Sequence, residues 1–424
     1  MSVEVNAPRG MAGESALPTA SDQIDRAWWI LLGAGLCMFA GQPAVILFTF
    51  GTFVPEMAAA TGWSRVELAA AIAPATIVAA LLAPFVGRLA DMVGTRRLVL
   101  LGGPAFALGF TLMGYLTTSA FTFTALLTLT CALGFAATPV LYAKVASGWF
   151  ARRRGLALSL TFACSSVGIA FWSPYAIKLI NLYGWRTAYA TIGVTAGAII
   201  FLAGLLLLRD PPKVIATEGA GEAPGLTLPQ AARGATFWKI LAIFALITGA
   251  LGGASVNLPV FLRQISVSGE TAAMVVSFAG LAMLIGRVSG GIMLDHWFAP
   301  RVAVISVVLP LLAFAVLLVD QSQTTFIIAA LMIGSGLGAE LDVAAYIVSR
   351  GFGLKAFGAI YGMVTLAYGL ASAIGPASTG VALGAAVSVH IIFASFIVTL
   401  LIALVLLWTV RREHLPYDVS GAKR

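Results

Sequence analysis

Runs of apolar residues long enough to cross a lipid bilayer recur from one end of this sequence to the other. A hydrocarbon core of roughly 30 Å takes about 20 residues of helix at ~1.5 Å each. Twelve such runs cover residues 27–57, 65–88, 97–117, 120–147, 153–180, 185–208, 237–263, 271–294, 300–319, 324–349, 355–384 and 387–410. They are long and lack the alternation of a half-buried strand, and lipid obliges each segment to satisfy its own backbone hydrogen bonds. The expected fold class is therefore an all-α membrane protein with twelve transmembrane helices, and a β-barrel is disfavoured. Composition agrees: the chain is 60% hydrophobic and 10% charged, with a mean hydropathy of +0.99, far from ordinary soluble usage.

Lys and Arg accumulate in cytoplasmic loops, so their placement orients the chain. With both termini inside, nineteen of the 25 cations fall on the cytoplasmic side, among them Arg96, Arg97, Arg152, Arg153, Arg154, Arg301, Arg350, Lys355, Arg411 and Arg412. Four fall opposite, Arg65, Lys178, Arg186 and Arg263, and Lys144 and Arg287 lie within helices. The net charge of +8 is thus a topology signal and requires no nucleic acid partner. The first apolar run is too long for a secretory signal and has no cleavage pattern, so the N-terminus is expected to stay as a cytoplasmic tail; the expected location is multi-pass in a plasma membrane, a bacterial inner membrane. Cys37, Cys131 and Cys164 are separated core residues with no disulfide or metal spacing. No metal or other cofactor is implied.

Residues 209–236, rich in Pro, Gly and charge, break the pattern with six runs on either side. The expected organisation is a cytoplasmic tail (1–26), a six-helix bundle (27–208), a cytoplasmic linker (209–236), a second six-helix bundle (237–411) and a tail (412–424). The halves repeat: GRLADMVGTRR at 87–97 and GIMLDHWFAPR at 291–301 align their Gly, Asp and Arg at an offset of 204. GFAATPVLYAKVASGWF at 134–150 and GLGAELDVAAYIVSRGF at 336–352 align at 202. Such repetition suggests a transporter with a central site between bundles.

GRLADMVGTRR, of the form G-x-x-x-D-x-x-G-x-R-R, resembles the loop motif of the major facilitator superfamily. The second copy departs at Phe298, where that pattern has Gly. The motif marks Gly87, Asp91, Gly94, Arg96 and Arg97, and in the second copy Gly291, Asp295 and Arg301, as gating residues: Gly87 lets helices approach, and Asp91 can face the positive end of a neighbouring helix. The alternative is that these charges only anchor a loop. WFARRRGLALSLTFAC at 149–164 resembles the monocarboxylate porter signature through Phe150, Arg152, Arg153, Arg154, Leu156, Ala157 and Ala163. LINLYGWRTAY and FGAIYGMVTLAYGLASAIGP resemble bacterial members, including the oxalate/formate branch, while the first-helix signature survives loosely as DRAWW.

The resemblance implies that Arg287, in LIGRVSGG, holds the substrate carboxylate. Independently, Arg287 lies eight residues before Asp295, about 12 Å of helix, hence near mid-membrane, where a guanidinium needs a polar cavity or an acid. Its fork suits a carboxylate. The alternative is a structural ion pair with a carboxylate of the tenth helix. The acid that mammalian relatives place one turn earlier is absent, the position being Met283, so any counter-ion comes from elsewhere. Glu340 lies ten residues before Arg350, about 15 Å from the cytoplasmic edge, and Asp342 is turned about 200° from it. The two carboxylates are expected to have separate jobs, Glu340 as the cavity acid coupling to protons and influencing Arg287, Asp342 in packing, gating or coupling. Tyr142, Gln42, Tyr361, Tyr368 and Ser372 are candidate cavity-lining, substrate-binding groups, each equally explicable by packing. Lys144 is expected to snorkel to the surface.

No Walker loop, HExxH or nucleophile elbow occurs, so the expectation is not an enzyme but a secondary transporter, functional as a monomer, whose partners are a small organic anion, a proton and the bilayer. It moves a small carboxylate, a monocarboxylate above all, by alternating access with proton symport. Rival readings are an efflux antiporter for lipophilic or cationic compounds, against which Arg287 argues, and a transport-dead membrane sensor.

Overall fold

The computed structural model describes residues 20–211, 225–264 and 269–411. The expected 412–424 tail, most of the 1–26 tail and the middle of the expected linker lie outside these residues. In the first half the helices are α1 (Ala20–Phe39), α2 (Phe50–Thr61), α3 (Arg65–Ala70), α4 (Ile72–Val93), α5 (Thr95–Leu116), α6 (Ala120–Leu133), α7 (Pro139–Trp149) and α8 (Arg154–Leu206). In the second they are α9 (Leu228–Ala232), α10 (Ala235–Gln264), α11 (Gly269–His296), α12 (Ala299–Val319), α13 (Gln323–Gly351), α14 (Phe357–Gly384) and α15 (Val389–Trp408).

Among the described residues, eleven helical stretches are long and apolar enough to span a membrane. The twelfth is contained in α8, whose 53 residues are interrupted at Gly184 with φ 75°. That left-handed conformation suits glycine and ends a helix, so two spans meet there. The twelve expected spans are therefore present, six on each side of residues 212–224.

Three of them are not single helices: run 65–88 is α3 and α4, divided at Ala71. Run 27–57 is α1, a π turn over Pro43–Leu47, and α2; run 120–147 is α6, a 3₁₀ turn over Gly134–Ala137, and α7. Pro43 and Pro139 each lack an N–H and cannot continue a helical ladder. The two breaks meet where Gln42 Nε2 donates to the Cys131 carbonyl at 2.5 Å, satisfying an acceptor near the end of α6.

The motif at 87–97 is not a loop. It is the last turn of α4, a glycine and the first turn of α5. Gly94, at φ 89°, leaves the amides of Thr95 and Arg96 free to donate to Asp210 Oδ1 at 2.5 and 3.2 Å. The start of the expected linker is thereby bolted to the first bundle, with Trp149 Nε1 donating to Arg209 O at 3.0 Å. Its other end is also ordered: Leu226 N donates to Phe352 O at 2.8 Å, and α9 follows.

The bundles meet along two helix pairs related by the internal repeat, α4 with α14 and the first part of α8 with α11. Glycine sets the separation. A Cβ on Gly87 would stand 1.9 Å from Gly358 O, and one on Gly362 2.6 Å from Pro84 Cα. On the other pair, a Cβ on Gly155 would stand 2.4 Å from Gly291 O. Such approach is what small residues permit between membrane helices. Gly87→Leu is expected to force the bundles apart at this end. Spin labels on the exposed Met92 and Trp297 should then report a longer distance than in the parent protein; an unchanged distribution would contradict the close-packing account.

Candidate functional site

At the linker end, each motif aspartate reaches the opposite bundle. Asp91 accepts from Gly358 N at 3.0 Å and Ala359 N at 2.9 Å, the first amides of α14. Asp295 accepts from Gly155 N at 2.7 Å and Leu156 N at 3.0 Å, the first amides of α8. A carboxylate there satisfies orphan donors and meets the positive end of the helix dipole. Lys144 Nζ lies 2.9 Å from Asp91 Oδ1 and also donates to Ala90 O. The expectation that Lys144 snorkels to the surface is corrected: it bends into the seam, where an acid and a carbonyl compensate its charge. Of the other motif residues, Gly94 and Arg96 stay within their own half, while Gly87 and Gly291 line the seam. Gly94 shapes the α4–α5 turn, Arg96 donates to Gly204 O and Leu205 O at 3.2 and 3.0 Å, and Arg97 and Arg301 are exposed. Gly291 packs on Gly155 and Ser159.

Arg287 is 3% exposed and tied to both bundles. Its Nε donates to Gly338 O at 3.1 Å within its own bundle. Its Nη1 donates across the seam to Phe162 O at 2.6 Å and lies 3.4 Å from Ser165 Oγ, and the guanidinium sits 5.8 Å from the Phe162 ring. The nearest acid is Asp342, with Oδ1 3.8 Å from Nε. The expected influence of Glu340 on Arg287 is corrected here, since Asp342 and not Glu340 lies within ion-pair range. The reason is the turn between neighbouring positions of α13, which aims Asp342 at α11 and Glu340 at α10. The alternative weighed from sequence, an ion pair with the tenth span, is present in this conformation.

That pair is loose. At 3.8 Å it is outside hydrogen-bond range, and both oxygens of the fully buried Asp342 lack a hydrogen-bond partner among the described residues. Glu340, 2% exposed, meets Thr248 of α10 through Oε1, while its buried Oε2 has no partner. Buried carboxylate oxygens without donors are unusual in a settled core and common where a proton or ligand is exchanged.

The remaining candidates divide. Tyr361, fully buried, donates to Leu341 O at 3.3 Å, between the two acids. Tyr368 and Ser372 follow on the same face of α14, partly buried, with Ser372 Oγ donating to Tyr368 O at 2.9 Å. Tyr142 is buried and donates to Ala136 O, and Gln42 is held at the α1–α6 breaks; both polar ends are committed within the first bundle. Thr248 and the carbonyl of Phe162 were not legible as site groups, one being a lone hydroxyl in an apolar helix and the other backbone. A groove of about 530 Å³ between α10, α14 and α15 is not part of this site. It opens beside Ile374, on the face of α14 opposite Tyr361, Tyr368 and Ser372. No charged residue lines it, and its hydroxyls, on Ser378, Ser395 and Thr399, bond carbonyls of their own helices.

Comparison with known proteins completes the assignment. Residues 30–376 match the family model of the Major Facilitator Superfamily. The chain is 23% identical over 355 residues to the uncharacterized MFS-type transporter YhjX of Escherichia coli strain K12, covering 81% of this chain and 85% of that protein. It is 27% identical over 303 residues to monocarboxylate transporter 13 of Rattus norvegicus, covering 70% and 69%. The crystal structure of the human organic anion transporter MFSD10 superposes with a TM-score of 0.68 at 14% identity, over 91% of this chain and 99% of that one, which is a likeness of fold. The chain is a multi-pass integral membrane protein that belongs to the major facilitator superfamily, a family of membrane transporters and not of enzymes.

Proposed function

We propose that the protein is a secondary active transporter of a small carboxylate, a monocarboxylate above all, coupled to protons. The observation that carries this reading is Arg287, a buried guanidinium at the seam whose nearest acid stands 3.8 Å away and whose shortest hydrogen bond is to a carbonyl of the opposite bundle. A substrate carboxylate can replace the Phe162 carbonyl as the bundles part and offer two oxygens to the fork. Glu340 and Asp342 then supply proton sites in the same bundle. The names of the rat monocarboxylate transporter and the human organic anion transporter agree with an anionic substrate. By the distribution of Lys and Arg, the linker end faces the cytoplasm, and one copy carries the whole site. Uptake of a panel of labelled carboxylates into proteoliposomes, with and without an imposed pH gradient, tests the reading. Accumulation of a carboxylate with the gradient supports it, and transport of cations alone would overturn it.

The aspartate caps act in this scheme as a latch that closes the linker end. Asp91→Asn keeps the shape but removes the charge that meets the α14 amides and Lys144. The maximal transport rate is expected to fall several-fold, with equilibrium substrate affinity within a few-fold of the parent. A selective loss of affinity at normal rate would contradict the latch.

A further inference from the structure

Thr248 raises a question of hydrogen count. Its Oγ1 lies 2.7 Å from Phe244 O, four residues earlier in α10, and also in hydrogen-bond contact with Glu340 Oε1 on α13. A hydroxyl carries one hydrogen and cannot donate to both. Thr248 is 1% exposed and Glu340 2%, so water does not resolve the conflict. Among the described residues no cation lies within 4 Å of Glu340, and the Arg287 guanidinium has Asp342 as its ion-pair partner.

One arrangement removes the conflict at Thr248, although Glu340 Oε2 stays without a partner among the described residues. If Glu340 carries a proton on Oε1, it donates to Thr248 Oγ1, and Thr248 in turn donates to Phe244 O in the usual back-bond of a helical threonine. An ionised Glu340 would leave two acceptors competing for one hydrogen and a buried charge without a cation, which is costly. The titratable groups that sense Glu340 are Tyr361 and Tyr368 on α14, while Arg287 on α11 and Asp342 on the same helix face each other. None is shown donating to Glu340, and α10 contributes only Thr248.

We infer that Thr248 is a hydroxyl switch that reads the protonation of Glu340: in this conformation Glu340 is neutral and donates to Thr248, and on proton loss the Thr248 hydroxyl swings from Phe244 O to the carboxylate. The step balances. The Glu340 O–H bond breaks, its proton passes to water on the open side, and the Thr248 hydrogen changes acceptor. Phe244 O keeps its backbone partner within α10, so the swing orphans nothing. Thr248 is a positioning residue, the one donor among the described residues placed to stabilise the anion. Its role deepens the reading of Glu340 as the coupling acid and rests on it.

Infrared difference spectroscopy of the reconstituted protein across a pH series tests this. A stretch of a protonated carboxylic acid should be present at neutral pH, be absent from Glu340→Gln, and bleach as pH rises. In Thr248→Val the anion loses its donor, a charge-assisted bond about twice as strong as the neutral one lost by the acid, so bleaching should move upward by about one pH unit, tenfold in proton affinity. Thr248→Ser should return it to the parent value. A Glu340 band that is absent throughout the series overturns the inference without recourse to any threonine variant, as does a Thr248→Val protein that bleaches with the parent. Should the band behave as stated while the parent protein never accumulates substrate under a proton gradient, the switch is supported and it is the coupling role of Glu340 that fails.

Discussion

Arg287→Lys should abolish most transport while leaving the protein folded. In this conformation the guanidinium bonds Gly338 O through Nε and Phe162 O through Nη1, so one planar group spans the seam in two directions. A lysine ammonium can reach one of these acceptors but does not reproduce the fork. If the substrate carboxylate is held bidentately, losing one charge-assisted bond costs about 1.5–3 kcal/mol, roughly a 10- to 100-fold drop in transport efficiency. Because positive charge is retained beside Asp342, the bundle does not inherit an uncompensated buried acid, and thermal stability should change far less than transport. Initial rates over a substrate series, with melting curves on the same preparations, separate the two. Near-parent rates in Arg287→Lys would remove the arginine from substrate binding.

Glu340→Gln should change the kind of transport and not simply its amount. Glutamine presents an amide N–H where the protonated acid presents O–H, so the chain through Thr248 to Phe244 O survives and the loaded form is mimicked. Substrate exchange between the two sides should continue at near-parent rates, and accumulation driven by a pH gradient should disappear. The measurement is counterflow beside gradient-driven uptake in the same vesicles. If Glu340→Gln still accumulates substrate as the parent does, Asp342, whose two buried oxygens have no hydrogen-bond partner, becomes the better coupling acid.

These two predictions draw on residues that differ in how far the sequence disclosed them. The twelve spans and the repeat of Gly87–Asp91 in Gly291–Asp295 were legible because hydropathy and internal symmetry are written locally. The breaks at Pro43 and Gly134 were not, since an apolar run reads the same through a π turn or a 3₁₀ turn as through a helix. That Glu340 and Asp342 diverge followed from the helical period alone, yet which of them meets Arg287 depended on the rotation of α13 against α11, set by glycine contacts such as Gly338 on Met283 O, where a Cβ would stand 2.0 Å away. Lys144 was misjudged for the same reason, as its partner Asp91 belongs to another span. Thr248 left no signal, because a helical threonine in an apolar run is ordinary until the residue opposite it is known.

The measurement that bears most directly on a carboxylate held by Arg287 compares an acid with its own primary amide. Proteoliposomes with an imposed proton gradient are offered each labelled short-chain carboxylate and the matching amide, equal in size and differing in charge. The account predicts that at least one carboxylate accumulates, that its amide does not, and that Arg287→Lys removes the difference. Equal transport of acid and amide, or preferential transport of an organic cation, would contradict it.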